Sequence, residues 1–488
     1  MPTLKKNFFY SFFLTTSSYL MSLVVFPYVS RTLGPTDLGL ASFAVGTVGC
    51  FTLLATMGIN TLGIREIARC RESKEELNNT YSSLFTLSLI FSFLAVIGFT
   101  ITSLLIPSLK SHPSLILLGA VCIVAQISLI EWLYKGLENF RSITIRGIII
   151  KILYVIAIFL LVKSPDDSIM YFALIVATYC INSIANITYA RHFVKFSLKN
   201  IQLRKWLNSY FSLGSHTVLA AIYTTFNLMF LGIVTNETQV GYYTVSVKVF
   251  CIILGTISAF TYVLMPRMSA LLADNKHDEF ISHLKHAIDS MIVITIPAAI
   301  AGIIFSPQIV SIISGNDYTQ AIIPMRILMP LVFLIGYEQI MLLQIMTPLN
   351  KDKYILYNCI TIAIISIILN FCLVGKYGAI GSALVWLICE ICLIIISQIQ
   401  ASRLIGLKFP FKSVLVTISA CIPGTVLSLF IMNLPTNIWL NTCLSIIFFI
   451  LTYSYTQLFI FRNGTFRNLI ITLANIRHKH HSKDAECH

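Results

Sequence analysis

The stretch GYYTVSVKVFCIILGTISAF, Gly241 to Phe260, decides the fold class. It is about 20 residues of largely apolar chain, which as a helix rising 1.5 Å per residue spans the ~30 Å hydrocarbon core of a bilayer. Runs of this kind recur from one end of the 488 residues to the other. Hydrophobic residues make up 57% of the sequence, charged residues only 11%, and the mean hydropathy is +0.83. Such a composition excludes a water-soluble globular chain and implies a polytopic membrane protein. The runs are too long and too uniformly apolar for barrel strands, which would alternate over ~10 residues.

Breaks at Gly, Pro, Asn and charged residues divide the chain into about fourteen candidate spans, among them 7 to 29, 39 to 60, 114 to 134, 208 to 233, 241 to 265 and 438 to 461. The basic start MPTLKKNFF is followed by no small-x-small cleavage site, so it reads as the beginning of an uncleaved first helix. Twelve cysteines are scattered mostly inside the apolar runs, and Cys389 and Cys392 fall in mid-span, which argues for buried thiols and against a disulfide framework or a metal pair.

Charge tests the map. With both termini in the cytoplasm, the inner segments collect 27 of the 34 lysines and arginines, the outer loops hold Arg31, Lys110, Lys163 and Lys376, and Lys151, Lys248 and Arg326 fall within spans. The formal net charge of +14 is therefore a cytoplasmic collar facing anionic membrane lipids, and no nucleic-acid surface is needed to explain it.

The chain also resembles itself at an offset near 201. NFFYSFFL from Asn7 aligns with NSYFSLGS from Asn208, and DLGLASFAV from Asp37 with QVGYYTVSV from Gln239. Six helices separate the copies, and an even number preserves orientation, so the repeat is parallel, about an axis along the membrane normal. The expected architecture is all-α: an N-lobe over 1–200, a C-lobe over 201–403, two appended helices over 404–461 and a basic cytoplasmic tail over 462–488. A cleft between such lobes is where a substrate would bind.

Six connections then carry a resemblance: YVSRTLGPTDLGLASFA (Tyr28 to Ala44), EWLYKGLENFR (Glu131 to Arg141), TQVGYYTVSVK (Thr238 to Lys248), LMPRMSAL (Leu264 to Leu271), GNDYTQAIIPMRIL (Gly315 to Leu328) and YGAIGSALVWLICE (Tyr377 to Glu390). In this order they resemble the polysaccharide flippases of the multidrug/oligosaccharidyl-lipid/polysaccharide exporter superfamily. The resemblance implies a bacterial inner-membrane transporter that moves an undecaprenyl-diphosphate-linked oligosaccharide, such as an O-antigen or capsule repeat unit, to the periplasmic leaflet by alternating access. It also implies a polysaccharide polymerase and a chain-length regulator as partners, no cofactor, and a driving force left open between a proton gradient, a sodium gradient and consumption of the product. The first span lacks the arginines that face the cavity in lipid II flippases; Arg31 stands at its outer end.

Charges inside spans are the candidate site residues, because a lysine at a helix centre costs about 2.5 to 3.5 kcal/mol on insertion scales. Lys248, about 10 Å below the outer end of its span, admits three readings: a snorkel to the headgroups, an internal ion pair, or a cation facing the substrate. A diphosphate supplies the reason for the third, since carrying its charge through hydrocarbon unpaired is prohibitive. Lys151 could meet the diphosphate from the cytoplasmic side or snorkel; Arg326, near an outer end, suits an anchor or outer gate as well as substrate contact. Asn227, Tyr223, His216 and Tyr337 are candidates for sugar hydrogen bonds and stacking. Glu390 and Glu338 in mid-span read either as partners of a cation or as proton-binding groups, and Glu131 as a coupling acid or a solvated loop edge. A cation-coupled drug exporter of the same superfamily would want several first-lobe acids, where Glu131 stands alone. A polymerase or ligase would want paired acid/base groups on a large outer loop, and the longest, near 306 to 320, carries none.

Overall fold

Gly34, at φ 73° and ψ 176°, bends what is otherwise one helix from Leu4 to Thr56. Fifty-three unbroken residues would reach roughly 80 Å, far beyond one bilayer crossing, and a left-handed φ next to Pro35 is a conformation glycine adopts without steric cost. The computed structural model describes residues 4–468, apart from 199–200, 275, 350 and 435–436, together with 471. The tail from residue 472 onward, with its histidines, lies outside the described residues. Among the described residues all regular structure is helical, and 13 segments are long and apolar enough to cross a membrane, the first of them the 55-residue stretch Thr16–Cys70. Resolving that stretch at Gly34 gives the fourteen spans expected from hydropathy.

Several helix ends follow from local chemistry. Ser73 caps Lys74–Leu105 by accepting from the Glu76 N–H at 3.4 Å, with Glu75 and Glu76 in the positive first turn. Asn437 caps Ile438–Tyr455 through the Trp439 N–H at 2.9 Å. Gly406, at φ 68°, ends Ala379–Ile405. Other breaks have no glycine or proline to announce them. Ile130, at φ 42°, separates Pro113–Ile127 from Glu131–Gly136, and the expected span 208 to 233 is two helices, Leu203–Ile222 and Thr225–Val234.

By packing the chain forms two compact units: Met1–Val245 with Ile312–Ala321 and Cys359–Trp386, and Ser246–Ser311 with Ile322–Asn358 and Leu387–His488. In the first, an aromatic core of Tyr81, Trp132, Tyr134 and Tyr210 packs with Leu62, Leu84 and Leu133. The segments after Gly34 and before Gly241 cross with backbones in contact. A Cβ on Gly39 would fall 1.7 Å from the Glu237 carbonyl oxygen, and one on Gly241 would fall 2.0 Å from that of Pro35. The Thr36 and Thr238 hydroxyls share a hydrogen bond of 2.9 Å at the same crossing. Arg31 donates to the Ile312 carbonyl at 2.6 Å and Tyr318 to that of Ser30 at 2.9 Å, which fastens Ile312–Ala321 to the first span.

The second unit packs Leu284, Ile292, Tyr337, Met341 and Ile345 together. Its last two spans, Phe411–Met432 and Ile438–Tyr455, pair through reciprocal Ser428 and Ser445 hydroxyl-to-carbonyl bonds of 3.1 and 3.3 Å, the kind of small polar contact that joins helices in lipid. Tyr453 ties this pair to the His277–Ile304 helix by donating to the Val293 carbonyl at 2.7 Å. No disulfide joins the cysteines among the described residues, Cys389 and Cys392 included.

Candidate functional site

Lys248 lies on Glu237–Ala273, a helix that starts four residues before the expected span, so its backbone sits roughly 16 Å from the helix end instead of 10 Å. Its side chain is exposed, and among the described residues no hydrogen bond or ion pair engages it. The four ion pairs found among the described residues all use other groups: Arg65 and Arg69 with Glu66, Arg71 with Glu138, and Lys135 with Glu131 at 2.9 Å.

Lys151, on Phe140–Leu161, is half-buried and donates to two hydroxyls of the first span, Ser17 Oγ at 3.0 Å and Ser18 Oγ at 2.6 Å. Neutral hydroxyls orient an ammonium without cancelling its charge. Arg326, on Ile322–Leu328, is exposed, and its Nε donates to the Ser306 hydroxyl at 2.9 Å and to the Ile303 carbonyl at 3.3 Å. It therefore meets a carbonyl and a hydroxyl at the end of His277–Ile304.

The neutral candidates divide by burial. Asn227 is fully buried: its Nδ2 donates to the Tyr243 hydroxyl at 3.1 Å and the Ser382 carbonyl at 2.9 Å, while its Oδ1 has no partner among the described residues. One acceptor thus remains for a water or a ligand hydroxyl. Tyr337 is also fully buried and donates to Gln398 Oε1. Tyr223 is half-buried at the C-terminal end of Leu203–Ile222. His216 is on that helix, but its side chain lies outside the described residues.

Glu390 is 2% exposed on Ala379–Ile405, and Glu338 is half-buried on Leu331–Ile340. No lysine or arginine pairs with either among the described residues, so the ion-pair reading of these acids finds no partner there. Glu131, half-buried, is held by Lys135 one turn along its own helix. Beyond Glu390, the same helix carries Gln398, which also donates to the Leu407 carbonyl at 2.8 Å, and Gln400, which exchanges bonds of 2.9 and 2.8 Å with Asn358. These amides were not singled out from sequence, although Glu390 and Ser397, seven residues apart, already marked a polar stripe along that helix.

Comparison with known proteins sets these features in a family. Over 397 residues the chain is 25% identical to a protein of Escherichia coli (strain K12) named as an O-antigen transporter, covering 80% of this chain and 95% of that one. It is 21% identical over 457 residues to a protein of Haloferax volcanii named as the low-salt glycan biosynthesis flippase Agl15, covering 91% and 93%. Its fold matches that of the lipid II flippase MurJ in an inward closed conformation, with a TM-score of 0.76 at 17% identity, over 94% of this chain and 99% of the other. Residues 4–272, more than half of the sequence, match the family described as "Polysaccharide biosynthesis protein". The chain is a multi-pass membrane protein of the polysaccharide biosynthesis family, with the fold of the exporter superfamily that its sequence motifs resemble.

Proposed function

We propose that this transporter flips an oligosaccharide linked to undecaprenyl diphosphate from the cytoplasmic to the periplasmic leaflet by alternating access, with Lys248 and Lys151 as cations for the diphosphate. The feature that carries the proposal is Lys248: an exposed lysine whose backbone lies roughly 16 Å along a spanning helix, with no ion pair among the described residues. A permanent charge so placed needs a wet surface or an anionic ligand. The O-antigen and glycan relatives supply the class of cargo, and a lipid diphosphate is the part of such a cargo that needs a cation.

Two lobes, 1–200 and 201–403, would rock against one another on either side of the repeat axis, with 404–461 appended and both termini in the cytoplasm of a bacterial inner membrane. Supporting this, the repeat-related pairs Thr36 with Thr238 and Gly39 with Gly241 meet each other. Glu338 and Glu390, both within spans and without a basic partner among the described residues, are the natural place for a coupling proton or sodium ion. Arg326 is assigned to anchoring, and Asn227, Tyr337 and Glu131 chiefly to internal contacts. Polymerase and chain-length regulator remain the partners that this cargo implies.

The test is complementation of a flippase-deficient strain at matched protein level. Lys248→Arg should restore surface polysaccharide and Lys248→Ala should not. Full complementation by Lys248→Ala would remove the ammonium from the mechanism.

A further inference from the structure

We infer that a second site, lined by none of the residues proposed for the cargo, holds the phosphate headgroup of an anionic membrane phospholipid. It is a cavity of ≈ 580 Å³ between Ile281, Lys285, Ile288 and Asp289 on one side and the connection Ile405–Pro410 on the other. The His277–Ile304 helix has 28 residues, roughly 42 Å, so it overruns a ~30 Å hydrocarbon core and places its first turns, with Ile281 and Lys285, at the membrane boundary. The connection leaves one spanning helix, Ala379–Ile405, and enters the next, Phe411–Met432, so it lies at a boundary as well.

The lining matches an amphiphile. Ile281, Ile288, Leu407 and Phe409 offer an apolar wall, while Lys285 and Lys408 offer two exposed ammonium groups. The one carboxylate, Asp289, accepts from the Ser413 hydroxyl at 2.7 Å, which holds it toward its own helix pair. The backbone N–H groups of Leu407, Lys408 and Phe409 find no acceptor among the described residues, although Leu407 is only 6% exposed. A buried N–H group is nearly always bonded, so that of Leu407, the one buried residue of the three, asks for an external acceptor. The C-terminal dipole of Ala379–Ile405 and the N-terminal dipole of Phe411–Met432 meet here with opposite sign, leaving the lysines to set the field.

The other half of the chain shows why the ligand is a lipid and not merely an anion. Lys205-Trp206 stands about 203 positions before Lys408-Phe409, and Glu76, Thr80 and Ser83 about 205 before Ile281, Lys285 and Ile288. These residues line a cavity of ≈ 360 Å³ that also holds Glu66 and Arg69. There the helix face is polar and acidic, and the Lys205 ammonium rests 4.6 Å from the Trp206 ring centroid. Of the two, the ≈ 580 Å³ cavity joins an apolar wall to two lysines free of such contacts among the described residues.

The inference is independent of what is transported. Full-length protein in detergent would be titrated with phosphatidylglycerol, phosphatidylcholine or inorganic phosphate, following thermal unfolding and lipid retained by native mass spectrometry. Phosphatidylglycerol should stabilise and remain bound, and Lys285→Gln with Lys408→Gln should weaken it roughly 10- to 30-fold, about fivefold per lysine. Lys205→Gln should change nothing. Equal binding of phosphatidylcholine, or retention by the double variant, would overturn the site. Equal stabilisation by inorganic phosphate would reassign it to a soluble ligand. Should the double variant fold poorly, the single exposed change Lys408→Gln carries the same comparison.

Discussion

Thr36 and Thr238, about 202 positions apart and equivalent in the internal repeat, donate and accept one hydrogen bond of 2.9 Å. Equivalent residues can meet only where the relating axis passes between them. If the lobes rock against one another across this axis, opening on that side of the membrane must separate these two hydroxyls. The pair Thr36→Cys and Thr238→Cys should therefore form a disulfide under oxidation and arrest transport, with recovery on reduction. Undiminished transport by fully crosslinked protein would show that this crossing stays closed throughout the cycle.

Gly39 tests the same crossing through stability. Its Cβ in Gly39→Ala would meet backbone, which cannot swing away as a side chain could. Destabilisation of about 3 kcal/mol, the upper range for overpacking, is expected in denaturation of the detergent-solubilised protein. Gly34→Ala meets nothing within 4 Å and suffers only its φ of 73° with a ψ of 176°, a region kept almost wholly by glycine, at a cost of about 1 to 3 kcal/mol. Reversal of that order would mean the crossing is looser than its distances imply.

Asn227 separates packing from recognition. Asn227→Leu removes both donated bonds and leaves the buried Ser382 carbonyl without that partner, which should cost about 1 to 3 kcal/mol. If packing is its whole role, transport per folded molecule will stay near wild type. A sugar contact would instead lower transport in variants whose unfolding midpoint is unchanged.

Arg326→Met removes a charged donor from Ser306 and from the Ile303 carbonyl, and should lower stability by about 1.5 to 3 kcal/mol. Transport normalised to folded protein should persist, as an anchoring role requires. A folded but inactive variant would return Arg326 to the substrate path.

Lys151 predicts a graded series. Lys151→Met should abolish complementation, whereas Ser17→Ala with Ser18→Ala, which removes the hydroxyls but keeps the charge, should reduce it only severalfold. Equal loss in both would place the function in the hydroxyl contact and not in the ammonium.

The sequence displays what depends on bulk transfer from water to lipid. Span number, helix type and the basic collar are sums over many residues, so a misplaced boundary hardly disturbs them. Breaks at Ile130 and at Tyr223 and Thr224 were hidden because neither contains glycine or proline and both fall inside apolar runs. The repeat was visible as weak similarity, but the contact of Gly39 with the opposing backbone is a tertiary fact. Candidate charges were easy to find because each violates the hydrophobic rule; their partners were not. Arg326 with Ser306, Lys151 with Ser17 and Ser18, and Tyr337 with Gln398 are pairings that depend on helix rotation, which a count of apolar residues does not encode. Lys285 and Lys408 were legible only as members of the collar, because the chamber they share is built from segments more than a hundred positions apart.

The interruption between Leu203–Ile222 and Thr225–Val234 has a cost that acyl chains cannot meet. Where a transmembrane rod stops and restarts, amide and carbonyl dipoles are released, and hydrocarbon offers them nothing. Hydration or neighbouring chain must surround residues 223 and 224, so the lipid annulus has to be parted from the protein axis at that depth. Thiol reagents should consequently reach Tyr223→Cys far faster than Met229→Cys on the following segment, making the interruption a marker of how deeply solvent penetrates the bilayer.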